Sequence, residues 1–370
     1  MNIGFDGKRT TQNFTGLGNY GRYIIKTLAR FYPQNQYSVY SPKPAVNNQD
    51  FLSYPSVTFH HPENQLSSAL WRSFGIVSDL KKSKTDLFHG LSNELPFGLN
   101  KAGIASVVTI HDLIFLRYPE YYPLIDRKIY DYKFRYAAGH ANKIIAISEQ
   151  TKRDIIHFFG TDESRIEVIY QNCNPSFLVK ASEEEKQRIR DLYYLPERFL
   201  LNVGTIETRK NALLIVKALK ELSSDIKLVI VGRETPYTAQ IKNYIKSNRL
   251  EERVYFLKNV PFSALPIIYQ LAEIFIYPSE FEGFGIPILE ALSSGIPVIG
   301  AKGSCLEEAG GPGSFYVSPK DSTELAEAIN LIFYDDKQKK SMISSGNEHL
   351  RQFSDDKIAE KLINLYKNLI

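Results

Sequence analysis

The sequence predicts an α/β protein built from two open, mainly parallel sheets, on three observations. The chain has 370 residues, and at about 100–200 residues per domain this implies two domains. Short β-branched runs alternate with helical apolar stripes throughout, the βαβα order of an open sheet. Strands such as Ala105-Ser-Val-Val-Thr-Ile lack polar alternation, which suits a parallel sheet buried on both faces.

In chain order, Asn2–Asp6 reads as the first strand. Gly18–Phe31 follows as a helix, with Tyr20, Tyr23, Ile24, Leu28 and Phe31 on its apolar stripe. Val57–His60, Asp86–His89, Ile104–Ile110 and Lys143–Ile147 read as further strands, with helices at Ser68–Lys82 and Ile125–Gly139 between them. Ser148 stands where a helix N-cap is wanted, ahead of Lys152–Phe159. Tyr170–Ala181, with Asn172, Asn174 and Pro175, is the expected linker. A second series then begins. Phe199–Val203, Lys227–Val231, Val254–Leu257, Ile274–Tyr277 and Pro297–Gly300 are its strands; Asn211–Leu222, Tyr237–Asn248, Ser263–Leu271 and Ile286–Ser294 are its helices. A last helix, Lys357–Ile370, carries Ile358, Leu362, Leu365 and Leu369 on one stripe. The expected domains are therefore residues 1–170, rejoined by 353–370, and residues 171–352. Two such domains would leave a cleft, with ligands at the C-terminal ends of the strands.

Composition excludes several classes. At 43% apolar and 23% charged residues, the chain is not disordered. Two cysteines, Cys173 and Cys305, lie far apart and offer neither a zinc cluster nor a disulfide framework. Two lone thiols fit a reducing cytoplasm. The N-terminus turns polar within a few residues, unlike a signal peptide, and no run approaches the ~20 apolar residues of a membrane span. Residues 1–170 carry 20 Lys/Arg against 15 Asp/Glu, a mild excess that favours an anionic partner or membrane surface. It is too weak for nucleic acid.

Gly16-Leu-Gly18-Asn-Tyr-Gly21 matches the G-x-G-x-x-G of dinucleotide folds. The preceding strand ends near Asp6, so the strand-to-helix turn is not tight, and residues 35–45 hold no acidic residue for a ribose. A glycine-rich loop at a helix start, able to meet an anion through its amides, is the better reading. A nicotinamide-dependent oxidoreductase remains an alternative function.

The stretch Tyr277-Pro-Ser-Glu-Phe-Glu282-Gly-Phe284-Gly285-Ile-Pro-Ile-Leu-Glu290 reads as strand end, glycine loop and helix start. It sets Glu282 at the positive end of a helix and Glu290 about one turn inside it. Taken alone, such a pair could equally be solvated. Asn202-Val-Gly204-Thr-Ile-Glu-Thr-Arg209-Lys210-Asn211 is again strand, loop and helix start. It places Arg209 and Lys210 where charge and helix dipole favour a phosphate, or leaves them as an exposed basic pair. Thr109-Ile-His111-Asp112 follows an apolar strand, where His111 either faces the cleft or is a buried structural histidine.

Together, in this order and over nearly the whole chain, these stretches resemble the large retaining nucleotide-sugar glycosyltransferase family, group 1 or fourth-family type. That family carries an E-x7-E motif on a GT-B fold of two Rossmann-like domains facing each other across a cleft. The resemblance implies that Arg209 and Lys210 bind the donor diphosphate and stabilise the leaving group. It puts Glu290 on the ribose hydroxyls and Glu282 on the transferred sugar, helped by amides near Phe284 and Gly285. Gly16 would let the first-domain loop approach the phosphate, with Gly204 at the turn before the cations. His111 would contact the sugar from the opposite wall. Lys258 to Val260 would recognise the base. It also implies front-face attack with retention, no metal and no cofactor beyond the nucleotide sugar. The sequence departs from the family at Gly232-Arg233-Glu234 and at Cys305-Leu306-Glu307-Glu308. Cys305 is expected to be a packed small residue rather than a site lining.

The implied activity is transfer of a hexose, first mannose from GDP-mannose, to a glycan or lipid-linked acceptor in surface polysaccharide synthesis. A non-catalytic sugar-nucleotide-binding protein is the other alternative. The acceptor should dock on the first domain. Its aromatic and basic stretch Arg117–Tyr136, with Trp71-Arg72 and Lys81, Lys82 and Lys84, suits an anionic membrane surface. A cytoplasmic enzyme that touches the inner membrane reversibly is the expectation, with a hinge near Tyr170–Ala181 that closes on the donor.

Overall fold

A computed structural model describes residues 1–13, 16–45, 50–62 and 70–370. The chain forms two compact units: Met1–Gln171 with Phe353–Ile370, and Asn172–Gln352.

Among the described residues, the first unit carries a seven-stranded sheet in the order β3-β2-β1-β4-β5-β6-β7. Its strands are β1 (Asn2–Asp6), β2 (Gln36–Tyr40), β3 (Val57–His60), β4 (Leu87–Gly90), β5 (Ala105–Ile110), β6 (Lys143–Ala146) and β7 (Ile166–Val168). Every pairing is parallel. Phe5 of β1 registers with Val39 of β2 on one side and His89 of β4 on the other. The chain builds outward from β1 through β2 to β3, then returns to start again at β4. The order of connection therefore reverses between β1 and β4, where an open α/β sheet has its ligand crevice.

The helix expected from Ser68 begins outside the described residues. From Trp71 it runs as one wide turn, Trp71–Gly75, into Ile76–Lys82. Trp71, Ile76 and Leu80 sit under it in a core shared with Phe88, Val108, Ile110, Ile144 and Phe134. The glycine-rich segment differs from expectation only at its start: the helix expected from Gly18 begins at Gly16, so Gly16 joins Gly18 and Gly21 inside Gly16–Phe31. A Cβ on Gly18 would stand 1.8 Å from the Asn13 carbonyl oxygen, and one on Gly21 would stand 2.2 Å from Thr10 Oγ1. Those two glycines are spent on close packing against the Lys8–Gln12 turn of helix. Gly16 alone has open space beside it.

The last helix, Asp355–Lys367, lies on the first unit. Tyr23 donates to Asp355 at 3.0 Å, and the buried Tyr366 hydroxyl lies 2.6 Å from His89 Nδ1. Its apolar stripe, with Ile358, Leu362 and Leu365 buried, explains why a chain-terminal helix docks.

The second unit has, among its described residues, a six-stranded parallel sheet in the order β10-β9-β8-β11-β12-β13. The strands are β8 (Phe199–Val203), β9 (Lys227–Val231), β10 (Val254–Leu257), β11 (Ile274–Tyr277), β12 (Val298–Ala301) and β13 (Phe315–Val317). Connection order reverses between β8 and β11. Leu200, Leu228, Ile230, Ile274 and Ile299 form the centre of its core. The segment expected as a linker is only partly one. The division falls after Gln171, but Phe177 is buried with its ring edge on Tyr269, centroids 5.4 Å apart. Cys173 Sγ lies 3.3 Å from Ser293 Oγ.

The backbone is equally tight where β9 leaves the sheet. A Cβ on Gly232 would lie 1.8 Å from the Gly204 carbonyl oxygen. That clash is with main chain and cannot be relieved by a rotamer, and overpacking of this kind costs about 1–3 kcal/mol. Gly232→Ala is therefore expected to lower the unfolding free energy by roughly that amount in urea titration; wild-type stability would contradict the close approach.

Candidate active site

The two loops that flank the β8/β11 reversal bring a cluster of charged residues together. After β8 the chain turns at Gly204, whose φ of +145° disfavours a side chain. A Cβ there would press on the Lys210 side chain, 3.0 Å from Nζ. The turn Thr208–Lys210 ends at Asn211 in left-handed conformation (φ +58°), and the helix Ala212–Ala218 begins. Asn211 Nδ2 donates to the Pro319 carbonyl at 2.7 Å, which locks the turn. Across the reversal, β11 ends at Tyr277, and a loop leads to Gly285 (φ +127°) and the helix Ile286–Ser294. The Glu280 amide donates to the Arg209 carbonyl at 2.9 Å, so the loops are joined through main chain.

Arg209 spans them. Its guanidinium lies 2.8 Å from Glu282 Oε2 and 2.7 Å from Glu207 Oε1, and donates to the Phe281 carbonyl. Lys210 Nζ donates to the Tyr277 hydroxyl at 3.0 Å and lies 3.9 Å from Glu282 Oε1. Tyr277 in turn donates to Glu282 Oε1 at 2.8 Å, and Ser279 Oγ donates to the same oxygen at 2.9 Å. Burial opposes ionisation of Glu282, but Lys210 and Arg209 outweigh it and hold its carboxyl below the usual range. Burial and the facing Glu282 push the Tyr277 phenol well above its ordinary value, so it stays a donor.

Glu290, eight residues on, lives differently. Tyr269 of the helix Leu265–Leu271 donates to its Oε2 at 2.9 Å. Burial pushes its carboxyl up to about 7, against the opposing pull of Tyr269 and Lys210. Two carboxyls on one motif are thus set apart, one ionised and one near its midpoint at neutral pH. Separation of this kind gives paired acids different roles.

The structure brings Gly204, Arg209, Lys210 and Glu282 into one cluster, with Lys210 acting on Glu290 as well. Phe284 is buried, so only its main chain is presented, and Gly285 lets the loop rest against Leu306 and Ala309. Val260 follows β10, two strands from β8. Lys258 beside it pairs with Glu234 at 3.0 Å, and Glu234 also holds Lys242 at 2.7 Å. Cys305 is fully buried, with its thiol 3.0 Å from the Glu282 carbonyl.

Four participants were assigned no role from sequence. Glu207, Tyr277 and Ser279 stand inside the two quoted stretches, and their polar side chains beside the cations were a usable signal. Tyr269 had none, because only helix packing sets it against Glu290. The expected picture of a free cationic pair also changes: in this structure the Arg209 charge is shared by two carboxylates.

His111 lies in the first unit, just past β5. It is buried, with Nε2 2.9 Å from the Leu91 carbonyl and its amide donating to Asn93 Oδ1 at 2.7 Å. Burial pushes the imidazole down to about 4, so it is neutral at physiological pH. A carbonyl can only accept, so Nε2 carries the proton and Nδ1 is left as an acceptor. Tyr20 packs edge-on against the ring at 4.6 Å between centroids.

The surface expected to meet a membrane is smaller than the sequence suggested. Trp71 is buried and donates to Asp79 at 2.9 Å. Arg72 pairs with Asp6 at 2.5 Å and with Glu94. Arg117 pairs with Asp154. Core packing and ion pairing withdraw Trp71 and Arg72, whereas Arg117, although paired, and Lys81, Lys82 and Lys84 stay exposed. Among the described residues, no group of His, Cys, Asp or Glu could hold a metal ion, and no helix is long and apolar enough to cross a membrane.

With this geometry in view, the comparisons with known proteins are specific. Residues 14–176 match the model of glycosyltransferase family 4, and residues 183–349 match glycosyl transferases group 1. The fold is GT-B, with two Rossmann-like domains, and the chain is a glycosyltransferase of that type. The O-antigen chain mannosyltransferase B of Escherichia coli is 27% identical over 294 residues, 78% of this chain and 76% of that one. The O-antigen chain mannosyltransferase RfbU of Salmonella typhimurium is 28% identical over 259 residues, 70% of this chain and 68% of that one. Among solved structures, sucrose-phosphate synthase from Thermosynechococcus elongatus superposes with a TM-score of 0.80 at 20% identity, over 100% of this chain and 99% of that one. Anabaena HepE, solved with UDP and glucose, gives 0.77 at 20% identity over 100% of both chains.

The Glu290 environment makes a signed prediction. Its folded carboxyl keeps a proton up to about 7, against an ordinary value of 4.5. The folded state therefore binds more protons across that window, and stability falls as pH rises through it. Glu290→Gln should gain stability relative to wild type at pH 8 but not at pH 4.5, read by urea unfolding. A gap independent of pH would contradict the assignment.

Proposed function

We propose that the protein transfers a hexose, first mannose from GDP-mannose, from a nucleotide-diphosphate sugar to a glycan or lipid-linked acceptor of a surface polysaccharide, with retention and without a metal. The observation that carries this reading is the ionic cluster at the β8/β11 reversal, two cations and a carboxylate at the C-terminal edge of a parallel sheet. That is where such sheets bind nucleotides. Two O-antigen mannosyltransferases among the relatives favour mannose and a polysaccharide product.

In this reading the second unit holds the donor. The diphosphate competes with Glu282 and Glu207 for Arg209, while Lys210 binds it as a point charge. The Glu282 oxygens that Arg209 gives up become acceptors for hydroxyls of the transferred sugar. As the sugar–oxygen bond to phosphate breaks, the growing negative charge meets Arg209 and Lys210, already oriented by Tyr277 and the Asn211 turn. The phosphate takes the acceptor's proton, so no side chain is needed as base. Glu290, held by Tyr269, accepts from the ribose hydroxyls, and the Gly285 and Phe284 amides face the sugar. Val260 and its neighbours contact the base. The first unit takes the acceptor, with neutral His111 accepting a sugar hydroxyl through Nδ1 and Gly16 leaving room for phosphate. The packing of Gly18 and Gly21 inside a helix disfavours a nicotinamide site.

A reversible contact with an anionic membrane at the cytoplasmic face fits one surface of the helix Leu124–His140. Ile125, Ile129 and Tyr132 are 73%, 46% and 65% exposed, and Lys128 lies on the same face by its i, i+3, i+4, i+7 spacing.

Donor kinetics test the reading. Lys210→Ala and Glu290→Ala should each raise the donor KM by about tenfold or more, and Glu282→Ala should lower kcat by about a hundredfold. Full turnover with GDP-mannose in the presence of a chelator is expected; unchanged kinetics in all three variants would refute the site, and no donor turnover at all would favour a sugar-nucleotide-binding protein without catalysis. Wild type should co-sediment with anionic vesicles at low salt and lose this on triple replacement of Ile125, Ile129 and Tyr132 by Ser. Failure of wild type to bind would remove the membrane contact.

A further inference from the structure

The first unit has its own reversal, between β1 and β4, and charged residues crowd there too. β1 ends at Asp6. Gly7 follows, its amide donating to the Tyr40 carbonyl at 2.7 Å, where a Cβ would stand 2.7 Å from Val39 Cγ1. Lys8 comes next, its amide donating to Asp6 Oδ1 at 3.1 Å and its side chain near enough to Arg72 and Glu94 to interact with both charges. On the other side, the loop after β4 supplies four residues in a row. Leu91 and Asn93 hold His111, Ser92 donates to Asp6 at 3.2 Å, and Glu94 pairs with Arg72 and, at 3.3 Å, with Lys133. Arg72 pairs with both Asp6 and Glu94.

The charges do not cancel. Asp6 and Glu94 are matched by Arg72 and Lys133, and Lys8 is left over. Among the described residues its ammonium makes no ion pair and no hydrogen bond, although the side chain is half-buried. Burial, then Arg72, weaken its hold on a proton, and the nearby Glu94 and Asp6 carboxylates, already engaged by Arg72 and Lys133, do not make this up. A partly desolvated cation beside an already matched pair is unfavourable until an anion joins it. A sugar hydroxyl could only accept a hydrogen bond from the ammonium and would leave its charge unmatched; a phosphate oxygen accepts the bond and neutralises the charge.

We propose that the crevice between the ends of β1 and β4 is an anion subsite, in which Lys8 binds a phosphate group of the acceptor within reach of the loop that holds His111. This rests on the acceptor role proposed above for the first unit. The phosphate could belong to a lipid headgroup or to a soluble phosphoryl sugar, and both present the same oxygens to Lys8. Glu94 and Arg72 act as positioning residues, fixing the loop after β4 against β1.

The test uses the full chain and two probes, inorganic phosphate and vesicles of phosphatidic acid in phosphatidylcholine. Phosphate is titrated calorimetrically with and without saturating GDP, which fills the donor site. With GDP present, wild type should still bind phosphate. Lys8→Gln should weaken that binding at least tenfold, Lys8→Arg should keep it within about threefold, and Lys26→Gln, an exposed lysine of the same unit, should leave it unchanged. Loss of phosphatidic acid binding in Lys8→Gln would assign the phosphate to a lipid headgroup. Loss of phosphate binding alone would assign it to a soluble acceptor. Phosphate binding that GDP abolishes, or that Lys8→Gln leaves intact, overturns the proposal. Failure of GDP itself to bind refutes the donor reading separately, because the Lys8 comparison is then read without it. A KM–kcat split gives the independent check: Lys8→Gln raises the acceptor KM while donor hydrolysis without acceptor is unaltered.

Discussion

The Arg209–Glu282 ion pair is the interaction on which the second unit's site depends. It joins the loop after β8 to the loop after β11, and those strands are neighbours only because the connection order reverses between them. As a source of stability such a partly buried pair is weak, since desolvation offsets most of the attraction. Its value is geometric. One guanidinium in a rigid fork, bound to Glu282, Glu207 and the Phe281 carbonyl, fixes two loops that have no strand pairing of their own. Tyr277 then links Lys210 to the same carboxylate. In the proposed donor role, an arriving anion would meet cations already oriented and would exchange with carboxylates rather than with water.

The same topology operates in the first unit with different contents. There the reversal lies between β1 and β4, and an Asp6–Arg72–Glu94 network replaces the Arg209 cluster. Behind it runs a buried chain of hydrogen bonds. Tyr366 of the last helix meets His89, His89 meets Thr109 at 2.8 Å, and Thr109 meets Tyr20 at 3.0 Å, which packs on His111. Buried polar groups must find partners, so the C-terminal helix, the sheet and the Gly16–Phe31 helix are held in one register. This explains why a helix from the end of the chain completes the first unit: without Tyr366, His89 Nδ1 would be buried without the partner seen here.

Much of the fold was legible because its strands are apolar on both faces and bounded by clear turns. Strands Phe199–Val203, Lys227–Val231, Val254–Leu257 and Ile274–Tyr277 and the helix Ile286–Ser294 appear with the expected ends. The strands not recognised were Gln36–Tyr40, Ile166–Val168 and Phe315–Val317. Two of them are edge strands of three residues, and the third carries Gln and Ser among its aromatics, so periodicity was faint. The helices Glu183–Tyr193, Ser322–Phe333 and Asp336–Leu350 also went unassigned. The first and last have few buried residues and many charged ones; Ser322–Phe333 buries Leu325, Ile329, Ile332 and Phe333 on one stripe, a signal that was present in the sequence and not used. For the site, the positions of Arg209, Lys210, Glu282 and Glu290 could be read from strand–loop–helix punctuation. Their partners across the reversal could not.

What the sequence determined by itself was local. Glycines stand where φ is positive at Gly204 and Gly285, a serine caps the Glu149–Phe159 helix, and charged residues follow strand ends. These follow from short-range sterics and hydrogen bonding, which depend on a few neighbouring residues. Tertiary structure alone decided which charges meet. It set Tyr269 on Glu290, gave Arg72 to Asp6 and left Lys8 unmatched. It also turned Gly18 and Gly21 into packing residues. Burial and the approach of groups dozens to hundreds of positions apart control these outcomes, and both depend on strand order, which no local pattern encodes.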